Sequence, residues 1–289
     1  MSLKIPDIKK VLSELELHTS SEHDFWGVEG GFKPFLISSF FIQKQNPSTI
    51  DVCSSYREME EMYTDLGFYL GFEKVRKFPN WESLPYDEIS PEKSTVAERL
   101  RTLADAARKS ELIIVTTVQA YFNKILPPSD VPNLFLTLKI GGEYSQEELI
   151  KKLRSFGYNR VEQVEESGEY SIRGDIIDIY VAGEENPYRI DFFDEEIERV
   201  RVFDSETQES LKEEIDEITI VSCHEIFYDQ KKVKKAQDFL NVNRKDIDPL
   251  IYTNVRTNMA EGELFTGIES IQPILYDHLT FLNEHFAET

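Results

Sequence analysis

Residues 168–204 read GEYSIRGDIIDIYVAGEENPYRIDFFDEEIERVRVFD. Short β-branched and aromatic runs broken by turn residues predict a small antiparallel sheet in the middle of the chain. Side chains alternate across a strand, so Tyr188, Ile190 and Phe192 share one face, and Arg189, Asp191 and Phe193 share the other. One apolar face is enough for a half-buried sheet, which leaves Phe193 surplus to the core. A large aromatic on the polar side, in the same strand face as a carboxylate and an arginine, marks a candidate binding surface. Spacing alone leaves two other readings open: another element covers this face, or Phe193 lies in a bulge near the turn.

Outward from this stretch the pattern changes twice. After Gly157 the chain reads mostly as strands, with hairpin turns expected at Ser167-Gly168 and Asp194-Glu195. On its N-terminal side, Leu134–Ile140 reads as one more strand, followed by a hinge-like Gly141-Gly142. Ser145 and Glu148 form a capping box ahead of Leu149, Leu153 and Phe156. Residues 141–221 therefore read as an α+β domain inserted between 1–140 and 222–289.

The first part alternates differently. Ile50–Cys53 is a short strand. Ser55 and Glu58 cap a helix carrying Met59, Met62 and Leu66, which Gly67 or Gly71 can end. A second strand is expected at Val75–Phe78, and a helix capped by Ser94 carries Val96, Leu100, Leu103 and Ala107. Leu112–Thr116, LIIVT, is the continuous apolar run of a strand buried on both faces of a parallel sheet. Strand, helix, strand, helix, strand is the order of a doubly wound α/β layer. Past Ile220, helices are expected at Asp229–Leu240 and Ile271–Phe286, with Ile274, Leu275 and Leu279 packing back on that layer.

Composition removes several functions. The formal charge is -22, from 54 acidic and 32 basic residues among 289, which repels phosphate and argues against a freestanding nucleic-acid binder. Cys53 and Cys223 lie far apart, and none of His18, His23, His224, His278 and His285 forms a metal-ligand pair. No apolar run approaches membrane-spanning length and no signal peptide opens the chain, so the sequence reads as cytoplasmic with no membrane partner. No pair of carboxylates stands out as acid and base.

Gly27-Val28-Glu29-Gly30-Gly31-Phe32-Lys33-Pro34 has the frame of a phosphate loop without its function. Lys33 survives, but Phe32 replaces the glycine that lets backbone amides approach phosphate. Pro34 replaces the hydroxyl that binds Mg²⁺ and removes an amide donor. Gly27, Gly30, Gly31 and Lys33 thus read as a degenerate phosphate loop at the head of a RecA-like layer, and the chain as no enzyme.

Together VEGGFKPFLIS, FPNWESLPYDEISP, AERLRTL, IIVTTVQA, GEYSIRGDIIDIY, PYRIDFFDEEIERVRVFDSETQES and GIESIQPILY resemble the N-terminal, UvrB-like part of the bacterial transcription-repair coupling factors (Mfd). The resemblance covers roughly residues 25 to 280. UvrB itself would carry an intact GKT loop, and a long DNA-inserting hairpin where this chain has only Tyr86–Ser94. The family implies a non-catalytic module that recruits UvrA through an inserted domain like UvrB domain 2. By motif, the UvrA-contacting positions fall on Arg173, Arg189 and Phe193, with Asp191 in the same strand. Arginine suits such a role because its planar fork holds a carboxylate bidentately. Within the domain, Arg173 would have Asp175 or Asp191 as neighbours, and Arg189 would have Glu195 or Glu198. The family further implies that a C-terminal domain of the full-length factor masks this face. RNA polymerase, DNA and ATP with Mg²⁺ would be met only through domains missing here, and no cofactor is expected in this fragment. The alternative is an ATP-dependent UvrB-type DNA helicase fragment with a divergent phosphate loop.

Overall fold

The computed structural model describes Val28 and residues 30–43, 48–82, 89–258 and 264–286. Gly27 and Glu29 of the glycine-rich loop, and Tyr86, lie outside the described residues. The chain divides into two compact units, one of residues 1–80, 102–123 and 281–289, the other of 81–101 and 124–280. The boundaries read from sequence at 140 and 221 both fall inside the second unit.

The first unit is built on a parallel sheet of β1 (Thr49–Cys53), β2 (Val75–Phe78) and β3 (Ile113–Thr117), in the order β1-β3-β2. The β-branched run becomes the central strand, with all five residues buried and both edges paired, Ile50 opposite Ile114 and Val75 opposite Ile113. The helix Tyr56–Leu70 follows β1. Ser55 caps it by accepting from the Glu58 amide at 3.2 Å. It runs through Gly67 and stops at Gly71, whose φ of 95° lets its amide donate back to the Gly67 carbonyl at 2.9 Å. Met59, Met62 and Leu66 recur on one face and join Phe41, Cys53, Val75, Ile113 and Val115 in a core cluster. Full burial of each such side chain contributes about 1.5–3 kcal/mol.

The helix Lys93–Arg108 begins slightly before the expected Ser94 cap, because the Val96 amide already donates to the Glu92 carbonyl at 3.0 Å. Val96, Leu100 and Leu103 are buried as expected. Ala107 is exposed in the last turn, and Ala106 is buried instead.

In the second unit, β4 (Phe135–Lys139) leads through the helix Gln146–Ser155 into a six-stranded sheet. Its strands are β5 (Asn159–Arg160), β6 (Glu169–Arg173), β7 (Ile176–Ile179), β8 (Tyr188–Phe193), β9 (Glu196–Phe203) and β10 (Ser210–Glu214), paired in chain order. β11 (Glu217–Val221) then returns antiparallel to β4, Ile218 opposite Leu138 and Ile220 opposite Leu136. The Ser145–Glu148 capping box is formed, and Leu149 and Leu153 are fully buried.

Two local expectations change. Gly141-Gly142 is fixed rather than hinge-like: Gly141 donates to the Ile197 carbonyl at 2.8 Å and Ile197 donates to Gly142 at 3.1 Å. The turn at Ser167-Gly168 exists, but β5 and β6 pair in parallel, so it closes no hairpin. The hairpin instead comes one strand later, at Gly174-Asp175, where Arg173 pairs with Ile176 and Gly174 takes a φ of 61°.

After β11 the helix Gln230–Val242 forms on its Asp229 cap, and a further helix, Pro249–Thr257, follows. The helix expected over Ile271–Phe286 is broken into a turn of α-helix at Gln272–Leu275 and a 3₁₀ turn at Leu282–His285. Tyr276 leaves helical backbone with a ψ of 145°, and Thr280 exchanges two 2.9 Å backbone hydrogen bonds with Ile125. Leu275 is buried, whereas Ile274 and Leu279 are half-buried.

Trp81 is an anchor in this unit. Its indole donates to Glu225 Oε1 at 3.1 Å and lies 5.3 Å from the guanidinium of Arg99. Arg99 and Glu225 form an ion pair whose side chains are both buried, with Arg99 Nη2 donating to Oε2 at 3.1 Å.

Candidate functional site

Cross-strand register sorts the sheet β6–β9 into two faces. Ile177, Ile190 and Val200 form one apolar row and are fully buried. The opposite face carries Ser171, Asp178, Arg189 and Arg201 in one row, and Arg173, Ile176, Asp191 and Arg199 in the next. Four arginines and two aspartates share these rows, and Glu214 of β10, in register with Arg201, pairs with Arg199 at 3.3 Å. A bulge at Glu198 lets Asp191 pair with Arg199 while Phe192 pairs with Ile197, so Ile197 and Val200 both stay on the apolar side. The turn Asp194-Glu195 closes β8 onto β9 as expected, with Phe193 opposite Glu196 and Asp194 at a φ of 59°.

Phe193 is 74% exposed at this hairpin end. It sits in regular pairing, and the bulge is on the opposite strand. Arg173 lies on the same face with half of its side chain exposed, while Arg189 is mostly covered, at 14%.

Neither arginine pairs with the neighbours suggested by sequence. Both converge on Asp178, whose side chain is fully buried. Arg189 holds it with both arms of its fork, Nε to Oδ1 at 2.7 Å and Nη2 to Oδ2 at 3.0 Å. Arg173 Nη2 donates to Oδ2 as well. Asp191 is occupied by Arg201, whose Nη2 reaches its two oxygens at 2.9 and 2.6 Å. Asp175, Glu195 and Glu198 are exposed. The bond to Asp178 raises the Arg189 pKa above its ordinary value, outweighing burial. Its guanidinium also stands 4.7 Å over the Phe203 ring.

Asp178 was therefore the missing member of the face. Alternation in IIDI places it opposite Ile177 and Ile179, but only the pairing of Asp178 with Arg189 reveals its partner.

The glycine-rich loop commits its lysine to a single carboxylate. Gly30 and Gly31 precede the helix Phe32–Gln43, and Lys33 Nζ donates to Glu58 Oε1 at 2.6 Å. The other Glu58 oxygen accepts from the Ser54 amide at 2.8 Å and its hydroxyl at 2.6 Å. The bonds from Lys33 and Ser54 bring the Glu58 pKa down to about 2. Burial pulls Lys33 down, but Glu58 and nearby Asp51 hold it above its ordinary value. A cavity of about 530 Å³ beside the loop sets Lys33 against Glu58, Glu60, Glu61 and Asp65. Of these carboxylates, Glu58, Glu60 and Glu61 are paired with Lys33, Lys77 and Arg57.

Among the described residues no cluster of His, Cys, Asp and Glu has the arrangement of a metal site, and no helix is long and apolar enough to cross a membrane. Cys53 and Cys223 are both buried free thiols, each pushed up to about 12 mainly by burial.

Residues 136–225, from β4 through β11, match the UvrB interaction domain. Most of the chain is similar to transcription-repair-coupling factors. That of Haemophilus influenzae is 32% identical over 93% of this chain, and that of Escherichia coli 34% over 70%. The Myxococcus xanthus factor is 29% identical over 75%. The chain spans only 23%, 17% and 19% of these three relatives' own lengths. The chain therefore carries a UvrB interaction domain at residues 136–225, within a sequence related over most of its length to the transcription-repair-coupling factors.

Proposed function

We propose that this chain acts as a non-catalytic module of a transcription-repair coupling factor, recruiting UvrA to stalled RNA polymerase in transcription-coupled nucleotide excision repair. One observation carries the reading. The residues matching the UvrB interaction domain are those that build a sheet face carrying an open Phe193 and a half-exposed Arg173. An exposed aromatic and an arginine on one face are the residue types enriched in interface hot spots. Arg189 and Asp191 complete the face from within, each held in an ion pair.

The parallel layer is in this reading a degenerate nucleotide fold of RecA type. Lys33 is committed to Glu58, which supports the absence of ATP hydrolysis in this part. RNA polymerase, DNA and ATP would engage other domains of a cytoplasmic factor. Its C-terminal domain would mask the Phe193 face until polymerase is bound.

The test is calorimetric titration of the chain with its cognate UvrA. Binding that weakens in Phe193→Ala while the thermal midpoint stays put is the expected result. Unchanged affinity in that variant would show that the face is wrongly assigned.

A further inference from the structure

Arg173 and Arg189 come from different strands, and their guanidinium groups meet on one carboxylate. Two such cations repel each other unless an anion lies between them. Asp178 is that anion, and full burial fixes it in place. Arg189 uses both arms of its fork on Asp178, whereas Arg173 gives it a single nitrogen. A guanidinium carries five N–H donors, so Arg173 retains an outward edge able to take a partner carboxylate bidentately.

We infer that Asp178 is a positioning residue for this face: it draws Arg173 and Arg189 together so that Arg173 presents its free edge to an acidic side chain of the partner protein. The inference rests on the reading of the Phe193 face as the UvrA-binding surface. The trio keeps a single net positive charge, matched to one carboxylate.

Charge and position predict opposite signs. Asp178→Asn makes the face more positive, so attraction to an acidic partner by charge alone would tighten binding. Positioning demands the reverse, because the two guanidinium groups separate and Arg173 loses its fixed orientation.

The experiment measures association and dissociation rates of UvrA with the full 289-residue chain, for Asp178→Asn, Arg173→Lys and Phe193→Ala, with near-ultraviolet circular dichroism confirming each fold. Asp178→Asn is expected to weaken affinity about tenfold through faster dissociation. Arg173→Lys, half-exposed and charge-conserving, is expected to lose a similar factor, since an ammonium cannot bond Asp178 and a partner carboxylate in one plane. It carries the test if Asp178→Asn fails to fold. Equal or tighter binding by a folded Asp178→Asn, or wild-type binding by Arg173→Lys, overturns the inference. If Phe193→Ala also binds as wild type, the surface itself is misassigned. If Phe193→Ala alone weakens binding, the surface stands and only the role of Asp178 falls.

Discussion

The loop around Lys33 and the face around Asp178 are both clusters of cations and carboxylates, but they leave different groups outward. At the loop one lysine meets Glu58, and three further carboxylates line the same cavity. Two of these are themselves paired, Glu60 with Lys77 at 3.0 Å and Glu61 with Arg57 at 2.9 Å. On the β6–β9 face the buried Asp178 holds Arg173 and Arg189, and half of Arg173 and the ring of Phe193 stay exposed, with exposed Glu196 opposite that ring. Pairing by itself does not tell whether a cluster can bind. What is left outward after pairing bears on it: Lys33 is committed to Glu58, whereas Arg173 keeps half of its side chain exposed.

The sharpest way to break this contrast is at the buried carboxylate. Asp178→Ala leaves Arg189 in a half-closed site without its anion and is expected to cost about 3–5 kcal/mol in urea denaturation. A loss under 1 kcal/mol would mean that water replaces the carboxylate and the trio is not a unit.

Phe193→Ala separates binding from folding. Affinity for UvrA is expected to fall by about thirtyfold, near 2 kcal/mol, with stability unchanged within about 0.5 kcal/mol. Loss of stability matching the loss of binding would instead make Phe193 a core residue.

The loop gives smaller effects. Its ion pair is about one-third exposed on both sides, so Lys33→Ala is expected to cost only about 0–1 kcal/mol. Calorimetry should show no ATP binding at micromolar nucleotide in the wild-type chain, and Lys33→Ala should change nothing. ATP binding lost in that variant would revive a working phosphate loop.

The smallest effect is in acid. Glu58 is held at about 2 in the folded chain, below its ordinary 4.5. A depressed carboxyl stabilises the fold above its unfolded pKa, and that contribution disappears as pH falls from about 4.5 through about 2. Glu58→Gln should flatten this part of the stability profile. An unchanged acid limb would show that Glu58 is not effectively paired in solution.

The sequence made much of the scaffold legible, because local chemistry settled it. Period-two alternation exposed Phe193, a β-branched run marked the central strand β3, and Ser145 with Glu148 marked a helix start. Asp178 was hidden for a reason of register. Alternation tells which residues share a face, but which cation stands opposite is set by pairing between distant strands. Arg189 therefore invited its neighbours Glu195 and Glu198 as partners, although they lie at the far end of the hairpin. The parallel pairing of β5 and β6 escaped in the same way, since a turn signal does not state strand direction. Over Ile271–Phe286 an apolar period suggested a long helix, and a tertiary backbone pairing at Thr280 overrode it.

The Trp81–Arg99–Glu225 contact also makes the molecule easy to watch. The chain has two tryptophans, Trp26 and Trp81. A Trp26→Phe variant would leave one fluorophore, seated on a buried ion pair of the second unit. Its emission should change when that unit opens to denaturant and remain steady when Arg173 or Phe193 is altered. A single optical signal would then distinguish an unfolded domain from a folded one that has lost its partner.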